Sequence, residues 1–133
     1  MTIGLLGFQT TIANPVQLKG IGVHSGNPVS MTFQPAEAGT GIVFSRQYEN
    51  GTSVELKAVS ANVGNTDLCT VIGRSLPESI ATVEHVMAGI YAMGIDNLIV
   101  EVDGPEVPIM DGSSAPFIEA IESVGVKNLG VKR

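Results

Sequence analysis

The first half of the chain alternates apolar and polar positions, which is the pattern of half-buried β-strands. Apolar residues at 29, 31 and 33 alternate with polar ones, and Pro35 ends that run. A strand also begins at Pro15, and residues 67–72 form a further candidate. Segments 42–46 and 54–59 flank Asn50-Gly51, a pair that favours positive φ, so they are predicted to form the arms of a hairpin.

Beyond residue 81 the apolar period lengthens to that of a helix. The face it defines consists of Val83, Val86, Met87, Ile90 and Tyr91. Thr82 is the expected N-cap of this helix, and Gly94 is the expected C′ residue.

A strand with alternating apolar positions 98, 100 and 102 follows, and then a second helix from about Ala115. Ser114 is its expected N-cap, Pro116 lies in its first turn, and Gly125 ends it. Its buried face is expected to comprise Phe117, Ile118, Ile121 and Val124.

This order of elements predicts the fold class. The early strands follow one another too closely for crossover helices, so the sheet should be mostly antiparallel or mixed. Two helices can cover only one of its faces. We therefore expect an α+β fold, a two-layer sandwich, formed by one domain over residues 1–133.

Composition narrows the possible partners. With 133 residues, 44% of them hydrophobic and only 15% charged, the chain can bury a core and keep apolar surface for a partner. The net charge is −6 and the seven Lys and Arg residues are scattered, which argues against nucleic-acid binding.

The location expected from sequence is the cytoplasm. Cys69 is the only cysteine, so no disulfide can form within the chain. The apolar segment Met1 to Phe8 is too short for a signal peptide and is not preceded by basic residues, so no signal peptide is expected. No apolar run approaches the roughly 20 residues of a membrane span.

Two segments contain the histidines of the chain. The first, Gly20–Gly26, places His24 among three glycines and a serine, where backbone amides can approach a phosphate or sugar; an ordinary tight turn with an exposed histidine is the alternative. In the second, Glu84 and His85 lie off the apolar face of the predicted helix. They suit a general base beside a metal ligand; the alternative is a solvated pair in which Glu84 offsets the helix dipole.

Small residues Ala88, Gly89 and Ala92 follow His85 at helical spacing, and we expect this strip to be exposed or covered by another surface. A catalytic zinc usually has three protein ligands. With two histidines and one cysteine, any co-ligands of His85 are expected outside these 133 residues. The rigid turn at 106–117 suits a structural loop, and Cys69 suits a small core residue.

Four runs together resemble the zinc-dependent UDP-3-O-acyl-N-acetylglucosamine deacetylases of lipid A (lipopolysaccharide) biosynthesis. In order and spacing, they are Gly20–Gly26, Thr82–Ala88, Gly94–Asn97 and Pro108–Ser113. The resemblance extends over nearly the whole chain but only over the first of that enzyme's two similar domains.

The resemblance implies a role for individual residues. His85 corresponds to a zinc ligand and Glu84 to the general base of a metal-assisted amide hydrolysis. Leu68, Cys69 and Thr70 match a strand that lines the substrate site, and His24 matches a histidine near the mouth of the cleft. The remaining zinc ligands, a His and an Asp, and the acyl-chain passage belong to the family's second domain, so the isolated domain is expected to be inactive.

A second hypothesis stays open, that of a natural one-domain relative that binds a ligand or protein without catalysis. The presence of both Glu84 and His85 favours the enzyme, because a non-catalytic relative has no chemical need for the pair.

Overall fold

The computed structural model describes residues 7–22, 26–58, 63–65, 70–72, 80–81 and 83–133, of which 63–65, 70–72 and 80–81 are described by backbone alone. The elements in chain order are the strands β1 (Phe8–Ile12), β2 (Val16–Ile21), β3 (Pro28–Pro35), β4 (Ile42–Gln47), β5 (Ser53–Lys57), β6 (Val63–Asn65), β7 (Thr70–Ile72) and β8 (Ile80–Ala81), then helix α1 (Glu84–Ala92), β9 (Leu98–Val102), helix α2 (Ala115–Val124) and β10 (Val126–Lys132).

The main sheet has five strands in the order β2-β3-β9-β4-β5. Strand β9 lies at its centre, antiparallel to β3 and parallel to β4, while the other neighbours are antiparallel. The sheet is therefore mixed, and the described residues contain two helices. The predicted α+β sandwich is confirmed.

One face of this sheet forms the core together with the helices. The register places Met31 opposite Val102 and Phe33 opposite Val100, and all four side chains are buried. Phe44 joins them from β4. The helices contribute the buried residues Val86, Ile90, Phe117 and Ile121 to the same cluster.

The β4–β5 hairpin confirms the arms predicted from Asn50-Gly51, up to Lys57 and Ala58; Val59 lies outside the described residues. Only Gly51 adopts positive φ, at 88°. Asn50 instead accepts hydrogen bonds through its side-chain oxygen from the backbone N–H and the hydroxyl of Thr52. An Asx-type turn therefore replaces the expected pair of left-handed residues.

Helix α1 ends as predicted but begins one residue later than expected. Gly94 has φ 68°, its N–H donates to the Tyr91 carbonyl, and the Ile95 N–H donates to the Ile90 carbonyl. This pair of bonds is the Schellman arrangement. Val83 occupies the N-cap position and makes no side-chain cap bond, while Thr82 lies outside the described residues.

Helix α2 lies where the sequence predicts it, with Pro116 in its first turn and Gly125 at its end. Ser114 occupies the N-cap position, but its side chain makes no cap bond. The hydroxyl of Ser113 accepts the Ala115 N–H at 3.2 Å instead.

Strands β1 and β10 were not predicted, and they pair antiparallel with each other. Asp96, just beyond α1, joins them to the helix: its carboxylate accepts the Thr10 N–H at 2.9 Å and the Arg133 Nε–H at 3.0 Å. Asn97 accepts the Gly41 N–H at 2.8 Å and donates to Gln9. The run Gly94–Asn97 therefore connects three parts of the fold.

Within the part of the chain that the structure describes, no helix is long and apolar enough to cross a membrane.

Candidate functional site

Glu84 and His85 are the first two residues of α1, and they point away from the core. Val83 and Val86, on either side of them, are buried at 1% and 0% exposure, whereas Glu84 is exposed and His85 is half-buried. The apolar period of the helix thus leaves a carboxylate and an imidazole side by side at an accessible helix start. A carboxylate in this first turn is stabilised by the helix dipole.

The small-residue strip beside His85 is exposed only in part. Ala88 and Ala92 are exposed, but Gly89 is buried, so the prediction was wrong at that residue. A Cβ at Gly89 would lie 3.1 Å from the Phe117 Cβ and 3.5 Å from the Ser114 carbonyl oxygen. The absence of a side chain there lets the start of α2 pack directly on α1, one turn from His85.

A second carboxylate, that of Asp111, lies in the turn at 106–117, for which the sequence alone predicts only a structural loop. It accepts hydrogen bonds from the Ser113 N–H at 2.9 Å and the Ser113 hydroxyl at 2.6 Å. These bonds hold the pKa of Asp111 below its ordinary value, and the positive charge of His85 lowers that pKa further. The Asp-Gly-Ser run was the available sequence signal for this turn.

Two glycines of the first candidate segment have a structural role. A Cβ at Gly22 would lie 2.7 Å from Cγ, Cδ and Oε2 of Glu106, and a Cβ at Gly20 would lie 2.8 Å from the Pro108 Cβ. The Ile109 N–H also donates to the Ile21 carbonyl at 2.9 Å. The missing side chains at Gly20 and Gly22 therefore leave room for segment 106–110 to pack against them. This contact brings the run Gly20–Gly26 next to the run Pro108–Ser113.

An open hollow of about 410 Å³ lies where these two runs meet. Its wall is mostly apolar, with Lys19 and Asp111 as charged members, and the other lining residues are Gly20, Ile21, Ile109, Met110 and Pro116. Ile21 is 53% exposed, so this edge of the site offers apolar surface to a neighbour.

The remaining predicted site residues cannot be placed by side chain. His24, Leu68 and Cys69 lie outside the described residues, and Thr70 is described only by its backbone, as the first residue of β7. Among the residues that are described, no three His, Cys, Asp or Glu side chains converge as a metal-binding group. Of the predicted site residues, the described part places Glu84 and His85 next to each other at the start of α1.

The comparisons with known proteins agree with this geometry. The family model described as UDP-3-O-acyl N-acetylglycosamine deacetylase matches residues 9–133. The chain belongs to this family. Its resemblance in four separate runs is thereby confirmed over nearly the whole sequence.

Curated relatives show the same relationship and a difference in length. The chain is 52% identical over 126 residues to proteins named UDP-3-O-acyl-N-acetylglucosamine deacetylase from Geobacter sp. (strain M21), Citrifermentans bemidjiense and Brucella ovis. Each alignment covers 95% of this chain, but 41% of the first two relatives and 43% of the third. The chain thus spans about two fifths of the length of these deacetylases.

Proposed function

We propose that this chain is the N-terminal domain of a zinc-dependent deacetylase that hydrolyses the acetamide of UDP-3-O-acyl-N-acetylglucosamine in lipid A biosynthesis. The observation that carries the proposal is the accessible Glu84-His85 pair at the start of α1, in a chain whose family match extends over residues 9–133. The substrate is inferred from the names of the relatives given above.

The residues present suit one part of a zinc site. The half-buried imidazole of His85 is a donor of the type that zinc prefers, and it sits on a helix whose C-terminal end is capped by the Gly94 and Ile95 N–H groups. A catalytic site needs about two further protein ligands, and we assign these to the part of the relatives that this chain does not span. A zinc ion bound there would polarise the acetamide carbonyl and acidify a water molecule.

Glu84 is proposed as the general base. Glu84 immediately precedes His85, and its carboxylate is exposed. It can therefore accept a proton from a water molecule that attacks the acetamide carbon. The same carboxyl can return that proton to the departing amine. Leu68, Cys69, Thr70 and His24 are proposed to contact the substrate.

A second domain of the same enzyme is proposed to cover the open face of α1. Besides Glu84, that face presents Ala88, Ala92 and Tyr91, and the Tyr91 side chain is 66% exposed. An accessible apolar helix face next to an incomplete site is typical of an interface within a larger protein. The cytoplasmic location stays a prediction.

The first test is acetate release from UDP-3-O-acyl-N-acetylglucosamine. The full-length protein that contains this domain should turn the substrate over, lose activity to a chelator and regain it with zinc. The 133-residue chain should release no acetate even with zinc added, because it supplies one of about three ligands. Turnover by the chain alone would contradict the division of the site. Lack of turnover by the metal-loaded full-length protein would favour a binding module instead.

A further inference from the structure

Glu106 is the one charged side chain among the buried residues of the described part of the chain. It lies in the loop between β9 and α2, yet only 4% of it is exposed. Burying a carboxylate costs free energy that polar neighbours have to offset, and an apolar side chain of similar size would avoid that cost. The roles proposed above for Glu84 and His85 do not involve this buried acid.

The carboxylate end of Glu106 packs directly against the backbone of Gly22. A Cβ at Gly22 would lie 2.7 Å from Cγ, Cδ and Oε2 of Glu106, which is closer than a real side chain could come. A backbone bridge also joins Gly22 to Pro108, two residues after Glu106. The acid and the segment that carries it therefore hold Gly22 in one place.

Gly22 is also the residue at which the loop 22–27 closes. Its N–H donates to the Asn27 carbonyl at 3.0 Å, and its carbonyl accepts the Gly26 N–H at 2.8 Å. Both ends of the loop are thus bonded to the residue on which the Glu106 carboxylate packs. His24 belongs to this loop by sequence, two residues after Gly22, although its side chain lies outside the described residues.

We propose that Glu106 is a positioning residue: its buried carboxylate fixes Gly22 and, through the closed loop 22–27, determines where His24 meets the substrate. This rests on the proposed contact between His24 and the substrate, and it is independent of the metal ligands. Buried charges contribute little to stability and can be retained because they fix one geometry. That is the role assigned to Glu106.

The test is steady-state kinetics of the full-length protein with UDP-3-O-acyl-N-acetylglucosamine, together with zinc content. Glu106→Gln keeps the size of the side chain and removes its charge. It should raise KM about 2- to 10-fold, the range for one hydrogen-bonded contact. Both kcat and zinc content should stay near wild type, because Glu84 and His85 are unchanged, and such a split is the signature of lost substrate binding.

Glu101→Gln is the matched control. Glu101 is a half-buried residue of β9 that also takes part in a hydrogen bond, from the Gln34 side-chain N–H at 3.1 Å. The same substitution there should change neither KM nor kcat. A similar rise in KM for both variants would show that loss of any such carboxylate disturbs the domain, and would overturn the inference.

A double-mutant comparison separates positioning from a general structural effect. If Glu106 acts through His24, Glu106→Gln should raise KM no further in a His24→Ala background. An equal rise in both backgrounds, or no rise in either, would overturn the inference and leave the proposed zinc chemistry standing. If His24→Ala alone left KM unchanged, the proposed His24 contact and this inference would both be wrong. Should Glu106→Gln not fold, Glu106→Asp, which withdraws the carboxylate from Gly22 by one methylene, undergoes the same comparison.

Discussion

At the scale of single residues, the glycines of this domain act mainly by leaving space. Gly22 has no unusual φ, so an alanine there is permitted by its backbone, yet its Cβ would overlap the buried side chain of Glu106. Gly89 plays the same part between the helices. Sequence reasoning treated the Gly20–Gly26 run as a possible ligand loop, because local sequence does not show which distant segment approaches a glycine.

Gly22→Ala should therefore destabilise the chain by about 1–3 kcal/mol, the usual cost of overpacking. Urea unfolding of the 133-residue chain measures this. In a Glu106→Ala background the overlapping atoms are gone, so the same change should cost clearly less, with a coupling free energy of about 1 kcal/mol. Equal costs in both backgrounds would show that Glu106 is not the obstacle.

At the scale of elements, strong periodicity identified most of the fold. The alternation in β3 and β9 and most of the helical faces of α1 and α2 were predicted because each element buries one side in the common core. The prediction was wrong at Tyr91, which was assigned to the apolar face of α1 but is 66% exposed. Strands β1 and β10 were not predicted. Strand β10 is largely exposed and contains polar residues and Gly130, so it lacks the regular apolar alternation of a half-buried strand. Their pairing depends on contacts with the end of α1 that are distant in sequence.

Asp96 should be the more important partner at that junction. Arg133→Ala should cost at most about 0.5 kcal/mol, because the ion pair is about one-third exposed, with side-chain exposures of 34% for Arg133 and 31% for Asp96. Asp96→Ala should cost about 1–3 kcal/mol, because it also leaves the Thr10 N–H without its carboxylate acceptor.

Lys127→Ala, which removes an exposed cation within β10, is the matched control and should change the free energy of unfolding little. In high salt the small Arg133 effect should fade while the Asp96 effect remains. If Arg133→Ala cost as much stability as Asp96→Ala, the ion pair would contribute more to this junction than the hydrogen bond from the Thr10 N–H to Asp96.

At the scale of the whole molecule, the two faces of α1 separate the buried core from the proposed site. Val86 and Ile90 on its buried face belong to the core, whereas Glu84 and Tyr91 lie on its open face. Sequence reasoning could place Glu84 and His85 off the apolar face, because helical period alone determines that. It could not predict that Gly89 is buried, because that burial depends on how α2 packs on α1.

Tyr91→Lys tests whether the open face of α1 is an interface. In the 133-residue chain it should change the free energy of unfolding by less than about 0.5 kcal/mol, as for other exposed sites. In the full-length protein it should lower the Tm by several degrees, because a charge would enter the proposed contact with the second domain. Gln17→Lys makes the same charge change on the exposed side of β2 and should have no effect in either protein. Equal behaviour of the two variants would contradict the interface.

The central claim, that Glu84 and His85 serve as general base and zinc ligand, is tested most directly by zinc content and turnover number measured on the same preparations of full-length protein. Glu84→Gln should keep near-normal zinc and lose about 100- to 10,000-fold in turnover, because glutamine keeps the shape but accepts no proton. His85→Ala should lose zinc and activity together. A Gln variant that lost zinc as badly, or kept full turnover, would contradict the account.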